Sequence, residues 1–259
     1  MSLDIVLPAY NEAERIGPTL RWYRRELTDP QVRFHVALDR CEDATAEVVA
    51  AHAADDPRVT MHLYPRLGKG GVIMETFRRC EGQYVAFVDA DASTPPRELL
   101  RLVEAAREAD GAIASRRHPA AILPRQRPLG RRIASVGFAW LVRRSFGLPY
   151  DDTQCGAKVL RREAAERLVP LLTARDLTFD VDLLVTAKRL GYRLVEVPTI
   201  WIDRDGSRLD IGNEVPRMSR SLLRLWWHHR LTPLEPGQAD APLITLPDAT
   251  DRELVHVDR

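Results

Sequence analysis

Two aspartates one residue apart, Asp89 and Asp91, end the apolar run Val85-Ala86-Phe87-Val88. At the carboxyl end of a buried strand, an Asp-x-Asp pair turns both carboxylates to one side. Such a pair suits a hard divalent cation, Mg²⁺ or Mn²⁺, which takes oxygen ligands and shares them with substrate phosphates. Ser93-Thr94-Pro95-Pro96 follows and reads as a helix start, with Thr94 as N-cap and Pro95 in the first helical position. Taken alone, an Asp-x-Asp is more often a solvated loop that caps the next helix, so its neighbours decide the matter.

The elements that must position the pair are legible in the hydrophobic pattern. Apolar strands are predicted over residues 3–7, 32–38, 59–63, 84–88 and 112–115. Between them lie helices ending near Leu27, over 43–54, ending near Cys80, and over 95–109. Regular β-then-α alternation with apolar strands predicts an α/β fold, a mostly parallel sheet covered by helices on both faces. In such sheets ligands bind outside the carboxyl ends of the strands. Glu12, Asp39, Lys69, Asp89 and Asp91 each fall just past a predicted strand end, so they converge on one rim. Glycines 68, 70 and 71 let the backbone approach a ligand there, and Lys69 can pair with phosphate.

Composition narrows the class. A chain of 259 residues is long enough for one α/β domain with a substantial core, or two small ones. With 45% hydrophobic and 29% charged residues it reads as a soluble globular protein, and a net charge of +1 gives no bulk attraction to nucleic acid. Cys41, Cys80 and Cys155 are widely separated, which argues against a disulfide framework or a zinc site and fits a reducing compartment. Met1-Ser2-Leu3-Asp4 lacks a signal-peptide profile, and the longest apolar run, 133–142, falls short of the ~20 residues of a membrane span. A cytoplasmic protein is expected. The oligomeric state is left open.

In order and spacing, four stretches resemble the nucleotide-sugar half of family 2 glycosyltransferases, which have the GT-A fold. They are Leu7-Pro8-Ala9-Tyr10-Asn11-Glu12, Asp39 with Asp43-Ala44-Thr45, Arg66-x-Gly68-Lys69-Gly70, and Asp89-Ala90-Asp91. Asp152-Thr153-Gln154-Cys155-Gly156, Phe179-Asp180-Val181-Asp182, Glu196-Val197-Pro198 and Arg204-Asp205-Gly206-Ser207-Arg208 extend the likeness over roughly residues 3–210. The ordered set is similar to the polyprenyl-phosphate sugar synthases, particularly the dolichyl-phosphate glucose and mannose synthase branch. The resemblance implies a GT-A domain over 1–212; the residues beyond it read by their own pattern as an amphipathic helix over 213–230 and a Pro-rich acidic tail over 231–259. It implies that Pro8, Ala9, Tyr10, Glu12 and Asp39 hold the donor's base and ribose, and that Lys69 lies near the base or phosphates. Asp89, with Ala90 beside it, would contact ribose and metal, and Asp91 would ligate the Mg²⁺ or Mn²⁺ on the diphosphate. The implied reaction is inverting transfer of a hexose from a UDP-glucose or GDP-mannose type donor to a polyprenyl phosphate. Two features depart from the pattern. Leu38-Asp39-Arg40-Cys41 stands where Asp-Asp-Gly-Ser is usual, and Asp182 stands where Glu is common. They leave the donor's base and sugar open and allow, further off, a non-catalytic nucleotide-sugar-binding protein. The lack of the membrane helices that often follow in the family keeps a soluble hydroxyl acceptor (natural product or carbohydrate) as the alternative.

Residues 111–150 contain no Asp or Glu but carry Arg116, Arg117, Arg125, Arg127, Arg131, Arg132, Arg143 and Arg144. Ile133, Val136 and Trp140 make a helical stripe among them. This reads either as a packed helix with a solvated basic face or as an interfacial helix on anionic lipid at the inner membrane face. By resemblance, Arg116, Arg131, Arg132 and Ser135 grip an acceptor phosphate, with Gln154 and Arg208 adding to the pocket. A phosphate acceptor is already an anion, so Arg116 and Arg132 would orient and neutralise it. A hydroxyl acceptor needs a base, for which Asp152 is the candidate, with Asp180 behind it. Residues 215–230 read as an amphipathic helix that either meets a membrane or docks back on the core.

Overall fold

The computed structural model describes residues 1–124, 129–202 and 211–232, without the side chains of 129–135 and 211–216. Its centre is β1 (Leu3–Ala9), a strand apolar on both sides. Leu3, Ile5, Leu7 and Ala9 enter one core, while Val6 enters a second on the opposite face. A strand with two dry faces needs helices above and below, and the rest of the chain supplies them. The sheet also contains β2 (Val32–Asp39), β3 (Val59–Tyr64), β4 (Tyr84–Val88), β5 (Gly111–Ser115), β6 (Ala157–Arg161) and β7 (Leu194–Pro198). Their order is β3-β2-β1-β4-β6-β5-β7. All neighbours run parallel except β6, which lies antiparallel between β4 and β5.

On the first face Ile16, Leu20 and Tyr23 of α1 (Ala13–Glu26), Val49 of α2 (Thr45–Asp55), and Leu99, Leu102 and Val103 of α4 (Pro96–Ala105) close the core. The second face is covered by α3 (Lys69–Phe77), α5 (Leu129–Phe146), α6 (Arg162–Leu168), α7 (Phe179–Arg189) and α8 (Ile211–Leu231). The chain builds outward from β1 through β2 to β3, then returns to place β4 on the other side of β1. That reversal opens a crevice at the carboxyl ends of β1, β2 and β4.

The five predicted strands are all present, and four details differ. Pro95 rather than Thr94 is the N-cap of α4, and Pro96 takes the first helical position, where a missing N–H costs nothing. That helix ends at Ala105 and tightens into a 3₁₀ turn over Ala106–Glu108. Helix α3 begins at Lys69, inside the expected turn. Strands β6 and β7, not among the predicted strands, complete the sheet. The C-terminal helix docks on the core through Leu222 and Leu225. Among the described residues no helix is long and apolar enough to cross a membrane.

Candidate active site

Loops from β1 and β2 are tied together before they reach any ligand. Thr45 Oγ1 accepts from the Glu12 N–H at 2.8 Å, Asp43 Oδ2 from Ala13 N–H at 3.2 Å, and Asn11 Oδ1 from Glu42 N–H at 2.8 Å. Asp43 and Thr45 are thus scaffolding, and Glu12 is steadied by Arg15 at 2.8 Å. The Ala9 carbonyl, next to Pro8, accepts from the Cys41 thiol at 3.5 Å. Tyr10 is exposed on the rim with the Arg66 guanidinium 5.6 Å from its ring centre. Three non-glycine residues, Asn11, Arg40 and Ala92, adopt left-handed backbone with φ of 54°, 50° and 58°. They follow β1, β2 and β4. Such conformations cost on the order of 1–3 kcal/mol and collect at functional rims. Arg40 stands where the resembled family has glycine, so this chain keeps the backbone turn without the residue that makes it easy.

Asp39 is buried and turned toward the Gly-Lys-Gly turn. Its Oδ1 accepts from Leu67 N–H at 2.6 Å and its Oδ2 from Gly68 N–H at 3.0 Å. Gly68 has φ +79°, and a Cβ there would stand 2.5 Å from the Arg175 carbonyl oxygen. Only glycine makes that turn, and it starts α3 at Lys69. The Lys69 ammonium then lies 2.8 Å from Asp89 Oδ1 and 3.8 Å from Asp180 Oδ2. Burial alone would favour the neutral amine, but Asp89 and Asp180 outweigh it and hold the Lys69 pKa above its usual range. Asp180 is shared with Lys158, whose Nζ sits 2.5 Å from Oδ1 and 2.8 Å from the Cys155 carbonyl. Both ammonium groups lie over Phe87, 5.6 and 5.4 Å from its ring centre.

Asp89 is held from two sides. Its N–H donates to the Gly156 carbonyl at 3.0 Å, and a Cβ on Gly156 would come within 1.7 Å of its Oδ2. Glycine at the end of the Asp152–Gly156 stretch is therefore the space that the Asp89 carboxylate occupies. Asp91 caps its own turn through the Ser93 N–H at 2.9 Å. Burial and the charge of Asp89 push its pKa up. Two carboxylates that repel in this way offer an oxygen-only donor set, which fits a hard divalent cation and leaves further positions for phosphate and water. The Ala90 carbonyl is turned away and accepts from Thr19 Oγ1 at 2.8 Å.

Arg116 and Asp152 meet as a bidentate pair, Nε to Oδ2 at 2.6 Å and Nη2 to Oδ1 at 2.8 Å, with the Arg116 N–H adding 3.0 Å. The guanidinium also lies 4.8 Å from the Trp201 ring centre. Burial would raise the Asp152 pKa, but the Arg116 charge and hydrogen bonds bring it down to about 2. Glu196, quoted above only as part of a motif, accepts the Asp151 and Asp152 N–H groups at 2.9 and 2.8 Å and so holds this loop. Gln154 Nε2 donates to the Leu177 carbonyl at 3.4 Å. Arg131, Arg132 and Ser135 lie on α5 with side chains outside the description, and Arg208 lies outside the described residues. Lys158 is the charged residue that the predicted site lacks. Its one signal is a lysine inside the apolar run Ala157-Lys158-Val159-Leu160.

The chain is similar to known proteins over most of its length. Residues 4–169 match the family described as glycosyl transferase family 2. The chain is 34% identical over 240 residues to glycosyltransferase AglD of Haloferax volcanii, covering 90% of this chain and 38% of that protein. It is 28% identical over 245 residues to a dolichyl-phosphate beta-glucosyltransferase of Dictyostelium discoideum, covering 88% and 75%. It is 32% identical over 210 residues to an undecaprenyl-phosphate mannosyltransferase of Micrococcus luteus, covering 79% and 85%. Glucosyl-3-phosphoglycerate synthase of Mycobacterium tuberculosis, solved with Mn²⁺, UDP and phosphoglyceric acid, shares the fold. Its TM-score is 0.65 at 19% identity, with 87% of this chain and 78% of that one covered. The GT-A architecture, the rim of acids and lysine at the sheet's switch point, and these matches agree that the chain belongs to glycosyl transferase family 2.

Proposed function

We propose that this chain transfers a hexose, with inversion, from a nucleotide diphosphate sugar to a polyprenyl phosphate. The dolichyl- and undecaprenyl-phosphate acceptors named for its relatives support the acceptor class. In this reading Pro8, Ala9, Tyr10, Glu12 and Asp39 border the base and ribose, and Lys69 faces the diphosphate. Asp89 and Asp91 hold Mg²⁺ or Mn²⁺, which would stabilise the negative charge on the departing nucleoside diphosphate. Around the Asp-x-Asp turn, Asp89, Asp91, Asp152 and Asp180 outnumber the Lys69, Lys158 and Arg116 that pair with them, which favours a cation there.

The observation that carries the acceptor assignment is the Arg116–Asp152 pair. A carboxylate engaged by both prongs of a guanidinium, with its pKa at about 2, is a poor general base. A hydroxyl acceptor needs such a base, whereas a phosphate monoester attacks as an anion. Asp152 then acts by orienting Arg116, and Arg116, Arg131, Arg132, Ser135, Gln154 and Arg208 make up the acceptor side.

The test is nucleoside diphosphate release from UDP-glucose and GDP-mannose, with Mn²⁺ or Mg²⁺, with and without a short polyprenyl phosphate. Release that depends on both metal and lipid phosphate is expected, and Asp91→Asn should lower it by roughly 10²-fold or more. Turnover with soluble hydroxyl acceptors alone would replace the lipid assignment, and full activity in Asp91→Asn would remove the metal role.

A further inference from the structure

Toward the amino ends of β1, β2 and β4, away from the donor rim, a second set of polar side chains meets on the face covered by α3. Asp4 of β1, His35 of β2 and Cys80, just beyond α3, bring a carboxylate oxygen, an imidazole nitrogen and a sulfur within 4.8 Å of one another. All three residues are buried. The His35 ring is fixed from behind, with its Nδ1 3.0 Å from Nε2 of His62 in β3 and the two rings stacked at 5.3 Å. Its Nε2 is buried and makes no hydrogen bond. That atom faces Asp4 Oδ1 at 3.6 Å, beyond hydrogen-bond length. Asp4 is meanwhile an ionised acceptor, taking Arg33 at 2.7 and 3.0 Å and the Glu81 and Gly82 N–H groups at 2.7 and 2.9 Å.

The imidazolium would hold its protonated Nε2 3.6 Å from Asp4 Oδ1, and neither neutral form of His35 suits the arrangement better. If Nδ1 donates to His62, Nε2 turns a bare lone pair toward a carboxylate in a dry site. If His62 donates instead, the Nε2–H points at Asp4 across a gap it does not bridge. A cation seated among them would give the bare imidazole nitrogen a partner, with the Asp4 carboxylate and the Cys80 sulfur beside it.

We propose that Asp4, His35 and Cys80 form a site for a borderline-soft divalent cation of the Zn²⁺ class, separate from the oxygen-only pair Asp89 and Asp91. The mixed N, S and O donor set is what distinguishes it from a magnesium site. His62 serves as the outer partner that orients the imidazole. Metal–ligand lengths of about 2.0–2.3 Å require the donors to draw in by roughly 1 Å. For this the Cys80 side chain must leave the Thr76 carbonyl, to which its thiol donates at 3.4 Å. On binding, the Cys80 thiol gives its proton to solvent and coordinates as thiolate. The ion would fasten β1, β2 and the segment entering β4. No Cys-x-x-Cys spacing announces it, because each donor comes from a different element.

The experiment is a Co²⁺ titration of the full chain after dialysis against a chelator. A near-ultraviolet thiolate-to-cobalt charge-transfer band is expected, saturating at one equivalent and displaced by Zn²⁺. Cys80→Ser abolishes the band, His35→Gln weakens binding about tenfold or more, and Cys41→Ser retains it. Asp91→Asn also retains it, since the rim carboxylates give cobalt no sulfur. A wild-type chain with no band, or a band that survives Cys80→Ser, overturns the proposal. The wild-type titration decides the matter even where a variant fails to fold.

Discussion

Asp152 and Gly156, at the two ends of one short stretch, do different work that follows from what each touches. Asp152 has a folded pKa of about 2 against an ordinary 3.8, because Arg116 favours the carboxylate over the burial that opposes it. The folded state thus holds the proton less tightly than the unfolded chain. The resulting stability is complete above about pH 4 and is lost as pH falls toward 2. Asp152→Asn should therefore be less stable by about 2 kcal/mol at neutral pH. Urea unfolding across a pH series should show the gap between the two proteins closing below about pH 4, and a gap independent of pH would contradict the pairing. Gly156→Ala acts by volume instead. Its Cβ would stand 1.7 Å from Asp89 Oδ2, so the carboxylate must swing away from Lys69. The expected outcome is a folded protein whose activity falls about as far as in Asp89→Ala, checked by circular dichroism alongside diphosphate release. The motif containing both residues is visible in the sequence. That Asp152 is engaged by Arg116, and that Gly156 is the space for Asp89, is not.

Helix α8 shows how an element ambiguous by pattern is fixed by two or three contacts. Its Leu222 and Leu225 are buried, but its anchor is polar. His229 Nε2 lies 2.8 Å from Asp182 Oδ1, and its Nδ1 lies 2.9 Å from an Arg189 guanidinium nitrogen. Asp182 is fully buried, and the Thr173 and Ala174 N–H groups reach its other oxygen at 2.7 and 2.8 Å. Burial works against its charge, yet the His229 hydrogen bond and those N–H groups lower its pKa. Its contribution to stability is thus present near neutrality and lost as pH falls. His229→Ala removes one partner of a buried carboxylate and should cost about 1–3 kcal/mol in denaturant unfolding. Proteolysis should then cut near α8 before the sheet opens, and unchanged protection would mean that leucine packing alone holds the helix. The amphipathic period of α8 was readable from sequence. Its docking was not, because Asp182 and His229 belong to separate elements and no local pattern couples them.

Across the whole molecule, α5 and α8 each leave apolar side chains in solvent and touch one another at one point. Phe146 of α5 meets His229 of α8 edge-on at 6.3 Å. Val136, Trp140 and Leu141 are exposed on α5, as are Leu223, Trp227 and Leu231 on α8. Exposed tryptophans among arginines suit an anionic lipid surface. Sedimentation with vesicles should depend on anionic lipid, weaken as salt rises, and drop severalfold in Trp140→Ala combined with Trp227→Ala. Equal pelleting of wild type and double variant would assign these faces elsewhere. The sequence by itself determined the succession of apolar strands, the helices between them, and the acids, lysine and glycines at their ends. Those signals are local, a period of two or 3.6 residues closed by a turn or a cap. Only the tertiary structure decided that β6 inserts antiparallel beside β4, pairing Val88 with Ala157 and so seating Gly156 and Lys158 against the Asp89 site. A contact between residues so far apart in the chain is chosen by the packing of the finished sheet, and no short stretch of sequence contains it.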